Sequence, residues 1–339
     1  MKSPVSFLKK WPSLQEFSRE TIFIYDKNVL KNKDFQKWIS KCSYKIAVNA
    51  GESLKTIDSY EKIAGQVQAM VAHNSLSSAG LTFVAIGGGS VGDFVGFLAS
   101  TFQRGKSFRI IPTTWLAAID SAHGGKNGLN LNHVKNQIGT FYSAEKVYII
   151  QSVLKKLNPQ QLNDSYAEAV KMSFILGGSL YNSLQKKSEV VWKALPKLIR
   201  AKYLVVQEDP FEKKGLRKIL NLGHTMGHVF EAYHKLPHGQ AVGLGILFAL
   251  RFGLKRGSVH WDDFVIMNDK FFQIDYNITY QKAIRVPTAI VKKTLLQDKK
   301  LVGEGTIDFI FVTKPGWILK EKITVSDLIA EVKRQQKEL

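Results

Sequence analysis

Apolar residues in the first half of the chain fall in short dense runs, separated by stretches in which they recur every three or four positions. The runs TIFIYD (21–26), LTFVAIGGG (81–89), FRIIPTT (108–114) and KVYIIQ (146–151) predict strands ending at polar or glycine-rich turns. Between the first two, DSYEKIAGQVQAMVAHN (58–74) has helical spacing. Such an alternation predicts an α/β domain with a parallel sheet. A long glycine- and asparagine-rich loop is expected between the third and fourth strands. After LKKLNP (154–159) the pattern changes. Residues 160 to 260 read almost wholly as helix, with Asp209-Pro210 and Gly239 as punctuation. A strand-like stretch, GTIDFIFVTKPG (305–316), interrupts the helices before a C-terminal helix, VSDLIAEVKRQQKEL. The predicted organisation is an α/β domain over 1–158 and a mainly helical domain over 159–339, without internal repeats.

Composition narrows the class. With 45% hydrophobic and 22% charged residues in 339, the chain reads as globular, with room for two cores. The single cysteine, Cys42, excludes an intramolecular disulfide and cysteine-rich zinc modules, and it reads as an unreactive free thiol. The opening MKSPVSFLKKWPSLQEF lacks an apolar core long enough for a signal peptide. The apolar run AVGLGILFAL (241–250) is too short to span a bilayer. A soluble cytoplasmic protein without a membrane partner is expected. The net charge of +20 suits a nucleic acid, an anionic substrate or simple solubility. Basic residues occur in scattered pairs rather than a tract, and no nucleic-acid-binding signature is present, which leaves an anionic substrate or simple solubility as the main readings.

Two local patterns point to chemistry. GGGSVGD places Gly87, Gly89 and Gly92 in a G-x-G-x-x-G arrangement between a strand and a helix, where backbone N–H groups can cradle a pyrophosphate. A tight turn with no ligand uses the same residues. The acidic ribose-binding residue of a standard Rossmann unit, about 20 positions downstream, is missing; Asp93 and Asp26 are the nearest candidates. The second pattern is NLGHTMGHVFEAYHKLPHGQ (221–240), which holds four of the chain's eight histidines. His224 and His228 share a helical face, and His238 follows a proline that is expected to end that helix. Two imidazoles and a carboxylate would form a catalytic type of zinc site with an open position. Core or surface histidines show the same spacing, and the H-E-x-x-H motif is absent.

Over about residues 20–315, several motifs in order resemble the 3-dehydroquinate synthase family. GGGSVGD, IPTTWLAAIDSAHGGKNGLN and VKNQIG are similar to its nucleotide-binding half. That half is shared distantly with iron-type alcohol and glycerol dehydrogenases. Those enzymes carry a Gly-Thr-Gly-Ser-Glu-like segment where this chain has Asp120 through Gly124-Gly125-Lys126. YAEAVKMSFI (166–175) and RKILNLGHTMGHVFEA…HGQAV are similar to the metal-binding segments. The resemblance implies a Rossmann-like nucleotide-binding domain followed by a mainly α-helical metal- and substrate-binding domain. It implies zinc, or cobalt, on Glu168, His224 and His238, with His228 as a non-ligand histidine that handles protons. His234 matches no motif and is expected in a loop.

The resemblance also implies NAD bound by Asp26, Asn28, Glu52, Lys55, Gly88, Gly89, Ser90, Asp93, Thr113, Thr114, Leu116, Asp120 and Lys135. Lys126, Asn136 and one of Lys299 or Lys300 are implied at a substrate phosphate, with Asp298 structural. Arg217, Asn221 and Lys171 are implied at the substrate's carboxylate and hydroxyls, with Lys202 nearby. Arg217 and Asn221 share the face of His224 if its helix starts early. Arg104 is implied to reach the phosphate from the neighbouring subunit of a homodimer. Each has an ordinary alternative: Glu168 and Lys171 have the spacing of a surface ion pair, and Lys126, Lys202 and Arg104 suit solvated positions. There are departures from the family pattern. Gln240 replaces a usual glutamate, so the group behind His238 is expected to be neutral. His123 and Asn127 replace a small residue and a threonine, and Lys156 replaces a threonine near the cofactor.

The implied reaction turns 3-deoxy-D-arabino-heptulosonate 7-phosphate into 3-dehydroquinate and phosphate. It proceeds through transient oxidation by NAD, elimination of phosphate, reduction and aldol closure, a step of the shikimate pathway. Another sugar phosphate cyclase, a metal-dependent polyol dehydrogenase of related fold and a basic nucleic-acid-binding protein are the alternatives.

Overall fold

TIFIYD and TFVAIG, apolar at nearly every position, are the strands that a parallel sheet buries on both faces. The computed structural model describes residues 4–132, 134–297, 301–302 and 305–339. Its strands are β1 Val5–Leu8, β2 Thr21–Asp26, β3 Tyr44–Val48, β4 Thr82–Gly87, β5 Ser107–Pro112 and β6 Lys126–Leu131. They continue as β7 Val134–Phe141, β8 Lys146–Ile150, β9 Leu301–Val302, β10 Thr306–Lys314 and β11 Trp317–Thr324. The chain divides into two compact units, Met1–Asn158 and Pro159–Leu339.

In the first unit six strands form a sheet in the order β1-β8-β5-β4-β2-β3, and every neighbouring pair is parallel. From β2 the chain steps outward to β3 and then returns to the other flank of β2 as β4. The carboxyl ends of β2 and β4 therefore flank a topological switch point, the place where open α/β sheets bind ligands. One face is covered by Phe35, Trp38 and Ile39 of the helix Lys33–Ile39, packed on Phe23, Tyr25 and Tyr148. Cys42 is buried in the same cluster, and burial pushes its thiol up to about 11, which keeps it protonated and unreactive.

Two features of this unit differ from the sequence reading. The edge strands β1 and β3 are short and half-exposed, so neither shows a continuous apolar run. The segment expected to be a loop is a hairpin, β6 paired antiparallel with β7. Its glycines and asparagines conceal the strands because most of β7 faces solvent.

The second unit is built around the helix His238–Lys255, in which every residue from Gly239 to Leu250 is buried. It packs on the helices Pro159–Leu176 and His224–His234, and two glycines set the separations. A Cβ at Gly239 would fall 1.9 Å from the carbonyl oxygen of Asp164, and one at Gly245 would fall 1.9 Å from that of Gly223. Real side chains cannot approach so closely, so both positions require glycine. Gly239 thus lies inside a helix at a close backbone approach, and does not act as punctuation. The stretch around 305–316 is the middle strand of a three-stranded antiparallel sheet, β11-β10-β9, not an isolated interruption. No helix among the described residues is long and apolar enough to cross a membrane.

Candidate active site

The close approach at Gly239 brings the first turn of one helix against the chain just before Glu168 on another. Glu168 Oε1 lies 3.5 Å from Nε2 of His224 and 3.5 Å from Nε2 of His238. The three residues each offer a donor atom, and all these atoms lie within 4.8 Å of one another. Zinc–ligand bonds of about 2.0–2.2 Å place tetrahedral donors about 3.3–3.5 Å apart, so the donor set fits zinc or cobalt. Glu168 is fully buried, and neither of its oxygens makes a hydrogen bond of good geometry. Its Oε2 is paired with the Lys171 ammonium, and its Oε1 faces the two imidazoles, an arrangement that suits a cation shared among the three donors.

Both histidines are held by their second nitrogen. His224 Nδ1 lies 3.2 Å from the Leu222 carbonyl oxygen, and His238 Nδ1 lies 2.9 Å from Glu231 Oε2. A metal that displaces the Nε2 protons would find Nδ1–H fixed on each ring and both Nε2 atoms facing Glu168. Burial favours the neutral form of His238, but the carboxylates of Glu168 and Glu231 outweigh it and push the imidazole up to about 9. The pocket thus favours positive charge at the place where a metal would sit. Glu231 escaped the sequence reading, although it stands seven positions after His224, two turns along the same helix. The group behind His238 is therefore anionic, not neutral. Gln240 points elsewhere, its Nε2 lying 2.8 Å from Asp164 Oδ1 and 3.2 Å from Asn277 Oδ1.

The second unit also buries several cations. Lys171 is 1% exposed and pairs with Glu168, so their spacing marks a buried pair rather than a surface one. Lys202 and Arg217 are likewise buried rather than solvated. Arg217 and Asn221 do not extend the helix of His224. They lie on a separate 3-10 segment, Leu216–Asn221, and Gly223 with φ of +79° starts the helix afresh at His224. Asp209, read from the sequence only as helix punctuation, shapes the approach to that segment. Its carboxylate accepts N–H bonds from Lys214 at 3.0 Å, Leu216 at 3.0 Å and Arg217 at 3.4 Å. His228 packs edge-on to His224, with ring centroids 5.7 Å apart, outside the donor set. His234 is the last residue of its helix, where Nε2 contacts the Ala283 carbonyl oxygen at 3.0 Å, so it is not in a loop.

In the first unit the implied nucleotide residues lie at the carboxyl ends of neighbouring strands. Asp26 ends β2 and accepts the N–H of Asn28 at 2.9 Å. Gly88 caps the helix Gly89–Thr101 with no side-chain cap bond, leaving first-turn N–H groups available to an anion. Ser90 Oγ accepts the N–H of Gly51, and Thr113 N–H reaches the Gly87 carbonyl oxygen at 2.9 Å. Thr114 caps the short helix Trp115–Ile119 that contains Leu116, and Asp120 closes it. Gly92 has open space around it; the close helix packing is made by Gly96, where a Cβ would lie 2.1 Å from Asn127 Oδ1. The uncapped turn and its glycines fit a dinucleotide phosphate.

Lys55 links residues that the sequence reading had kept apart. Its ammonium is buried, 2.7 Å from Asp93 Oδ2 and 2.5 Å from Asn136 Oδ1. Asn130 continues the row, donating to Glu52 Oε2 at 2.8 Å and accepting the N–H of Asn136 at 2.9 Å. A cleft of about 580 Å³ lies against Glu52, Asn130 and Lys135. Lys126, at the start of β6, is exposed. Arg104 is exposed at φ of +66° in a 3-10 turn after the helix, and its guanidinium makes no hydrogen bond or ion pair among the described residues. His123 is a core residue, its Nε2 2.9 Å from the Ala118 carbonyl oxygen, and Lys156 pairs with Asp34 on the surface. Asp298, Lys299 and Lys300 lie outside the described residues.

Comparison with known proteins agrees with this geometry. The family model for the 3-dehydroquinate synthase N-terminal domain matches residues 45–164, and that for the C-terminal domain matches 165–301. A curated 3-dehydroquinate synthase from Thermoplasma volcanium is 35% identical over 288 residues, covering 83% of this chain and 77% of the relative. Among solved structures, a 2-deoxy-scyllo-inosose synthase complexed with carbaglucose-6-phosphate, NAD+ and Co2+ superposes with a TM-score of 0.81. It is 21% identical, and the match covers 94% of this chain and 93% of that one. A 2-epi-5-epi-valiolone synthase from Streptomyces hygroscopicus, with NAD+ and Zn2+ bound, gives 0.82 at 18% identity over 99% of this chain and 97% of that one. The structural likenesses show a shared fold, while the sequence matches run through both units and across all three metal-ligating candidates. On those matches, the chain belongs to the 3-dehydroquinate synthase family.

Proposed function

We infer that the chain catalyses its family's reaction, the conversion of 3-deoxy-D-arabino-heptulosonate 7-phosphate into 3-dehydroquinate and phosphate, as a carbon–oxygen lyase. The observation that carries this reading is the Glu168, His224 and His238 donor set, in a chain that matches both family domains. Residues 1–158 form the NAD-binding domain in this proposal, and residues 159–339 hold zinc or cobalt together with the substrate. The cyclases solved with NAD+ and Co2+ or Zn2+ support that pair of cofactors here.

When bound, the nicotinamide takes up and returns a hydride while the divalent cation polarises a substrate oxygen, so no second redox substrate is needed. The chain's own residues bind and orient. Arg217 offers a fork of donors that suits a carboxylate, and the buried Lys171 and Lys202 add positive charge, with Asn221 available to hydroxyls. His228, beside His224 but outside the donor set, holds and moves a proton at a substrate hydroxyl in this proposal. Lys126, Asn136 and Lys299 or Lys300 bind the departing phosphate. The excess of basic residues steers an anionic substrate to the protein. The proposal includes a cytoplasmic homodimer in which Arg104 completes the neighbouring subunit's phosphate site.

The test is phosphate release by protein supplied with NAD and zinc. The heptulosonate should release phosphate, and a sugar phosphate without a carboxylate, such as glucose 6-phosphate, should not. The reverse preference would identify another sugar phosphate cyclase, and steady NADH formation from glycerol would identify a polyol dehydrogenase.

A further inference from the structure

The carboxylate behind His238 does not come from the segment that carries His238. It comes from Glu231, near the end of the preceding helix, whose Oε2 lies 2.9 Å from His238 Nδ1. Gln240 is fully buried and committed to other partners. Its Nε2 lies 2.8 Å from Asp164 Oδ1, and its Oε1 accepts the N–H of Asn277 at 2.8 Å. That amide ties three chain segments together and leaves the imidazole to Glu231.

We propose that Glu231 is the positioning residue of the metal centre, holding His238 so that its Nε2 lone pair faces Glu168 and His224. The inference rests on the ligand set proposed above. An imidazole ligand needs one nitrogen protonated and the other free, and an acceptor at Nδ1 selects that tautomer. His224 meets the same need with the neutral carbonyl oxygen of Leu222 at 3.2 Å. A carboxylate is the stronger acceptor, and it raises the basicity of the ring it holds. His238 is also the more exposed of the two, at 32% against 13% of its side chain, so less packing restrains its ring. Glu231 supplies the missing restraint.

The experiment measures zinc affinity of the full chain by competition with a chromogenic chelator, together with the visible absorption of the cobalt-loaded protein. Glu231→Ala should weaken zinc binding by about 10–100-fold, the usual effect of removing such a partner. The apoprotein should stay folded with only a modestly lowered melting temperature, because Glu231 is partly exposed and its bond to His238 is one interaction at the surface. Glu231→Gln preserves shape and a neutral acceptor, so it should lose less affinity than Glu231→Ala and should retain more of the wild-type cobalt spectrum. Wild-type affinity in folded Glu231→Ala and Glu231→Gln would overturn the proposal. A wild-type chain that takes up neither zinc nor cobalt would instead overturn the ligand set, and the proposal with it.

Discussion

Within the helix Pro159–Leu176, the Lys171 ammonium rests against the Glu168 carboxylate, and both side chains are buried. One partner cannot be removed cheaply from such a pair, because the other is left charged and out of water. Lys171→Met should therefore destabilise the metal-free protein by about 3–5 kcal/mol. Zinc on Glu168 would supply a replacement positive charge, so the loss should shrink in the zinc-loaded protein. Denaturant unfolding with and without zinc measures both quantities. Equal losses in the two states would mean that Glu168 does not meet the metal.

Asp209 predicts a pH dependence. Burial works to raise its pKa, but the backbone N–H groups of Lys214, Arg217, Leu216 and Lys213 prevail and hold it below the ordinary aspartate range. A carboxyl with a lowered folded pKa stabilises the protein above its unfolded value, about pH 4, and loses that contribution as pH falls through the folded value. Asp209→Asn should therefore be less stable than wild type at neutral pH, with the difference shrinking under acid. The loop that it ties presents Arg217, so KM should rise more than kcat falls. A stability difference that stays constant from neutral to acid pH would contradict this account.

The sequence disclosed some of this structure and concealed the rest for physical reasons. β2, β4, β5 and β8 were legible because a parallel sheet buries both faces and demands apolar runs. β1 and β3 lie at the edges, and β7 mostly faces solvent, so their patterns carry little signal. His224 and His228 announced themselves by spacing, whereas Glu168 looked like half of a surface ion pair until its motif was compared. Glu231 and Asp209 act through an imidazole nitrogen and through backbone N–H groups. Such roles leave no mark on apolar periodicity.

Arg104 gives a test of subunit sharing. It is exposed and held at positive φ, and the proposal assigns it to the neighbouring subunit's phosphate site. Arg104→Ala and His224→Ala should each be inactive alone. Co-expressed, they should recover about a quarter of wild-type activity, since half of randomly paired dimers are mixed and each mixed dimer has one intact site. A mixture that stays inactive would place Arg104 at its own chain's site, and full activity of Arg104→Ala alone would place it at none.

The central claim is that the bound nicotinamide is restored in every turnover. The most direct measurement is the number of phosphates released from 3-deoxy-D-arabino-heptulosonate 7-phosphate per NAD supplied, with NADH absorbance followed in the same cuvette. One NAD per site should support many phosphates, with 3-dehydroquinate formed in step and no net rise in NADH. One NADH accumulated per product would contradict the account and make the protein a dehydrogenase.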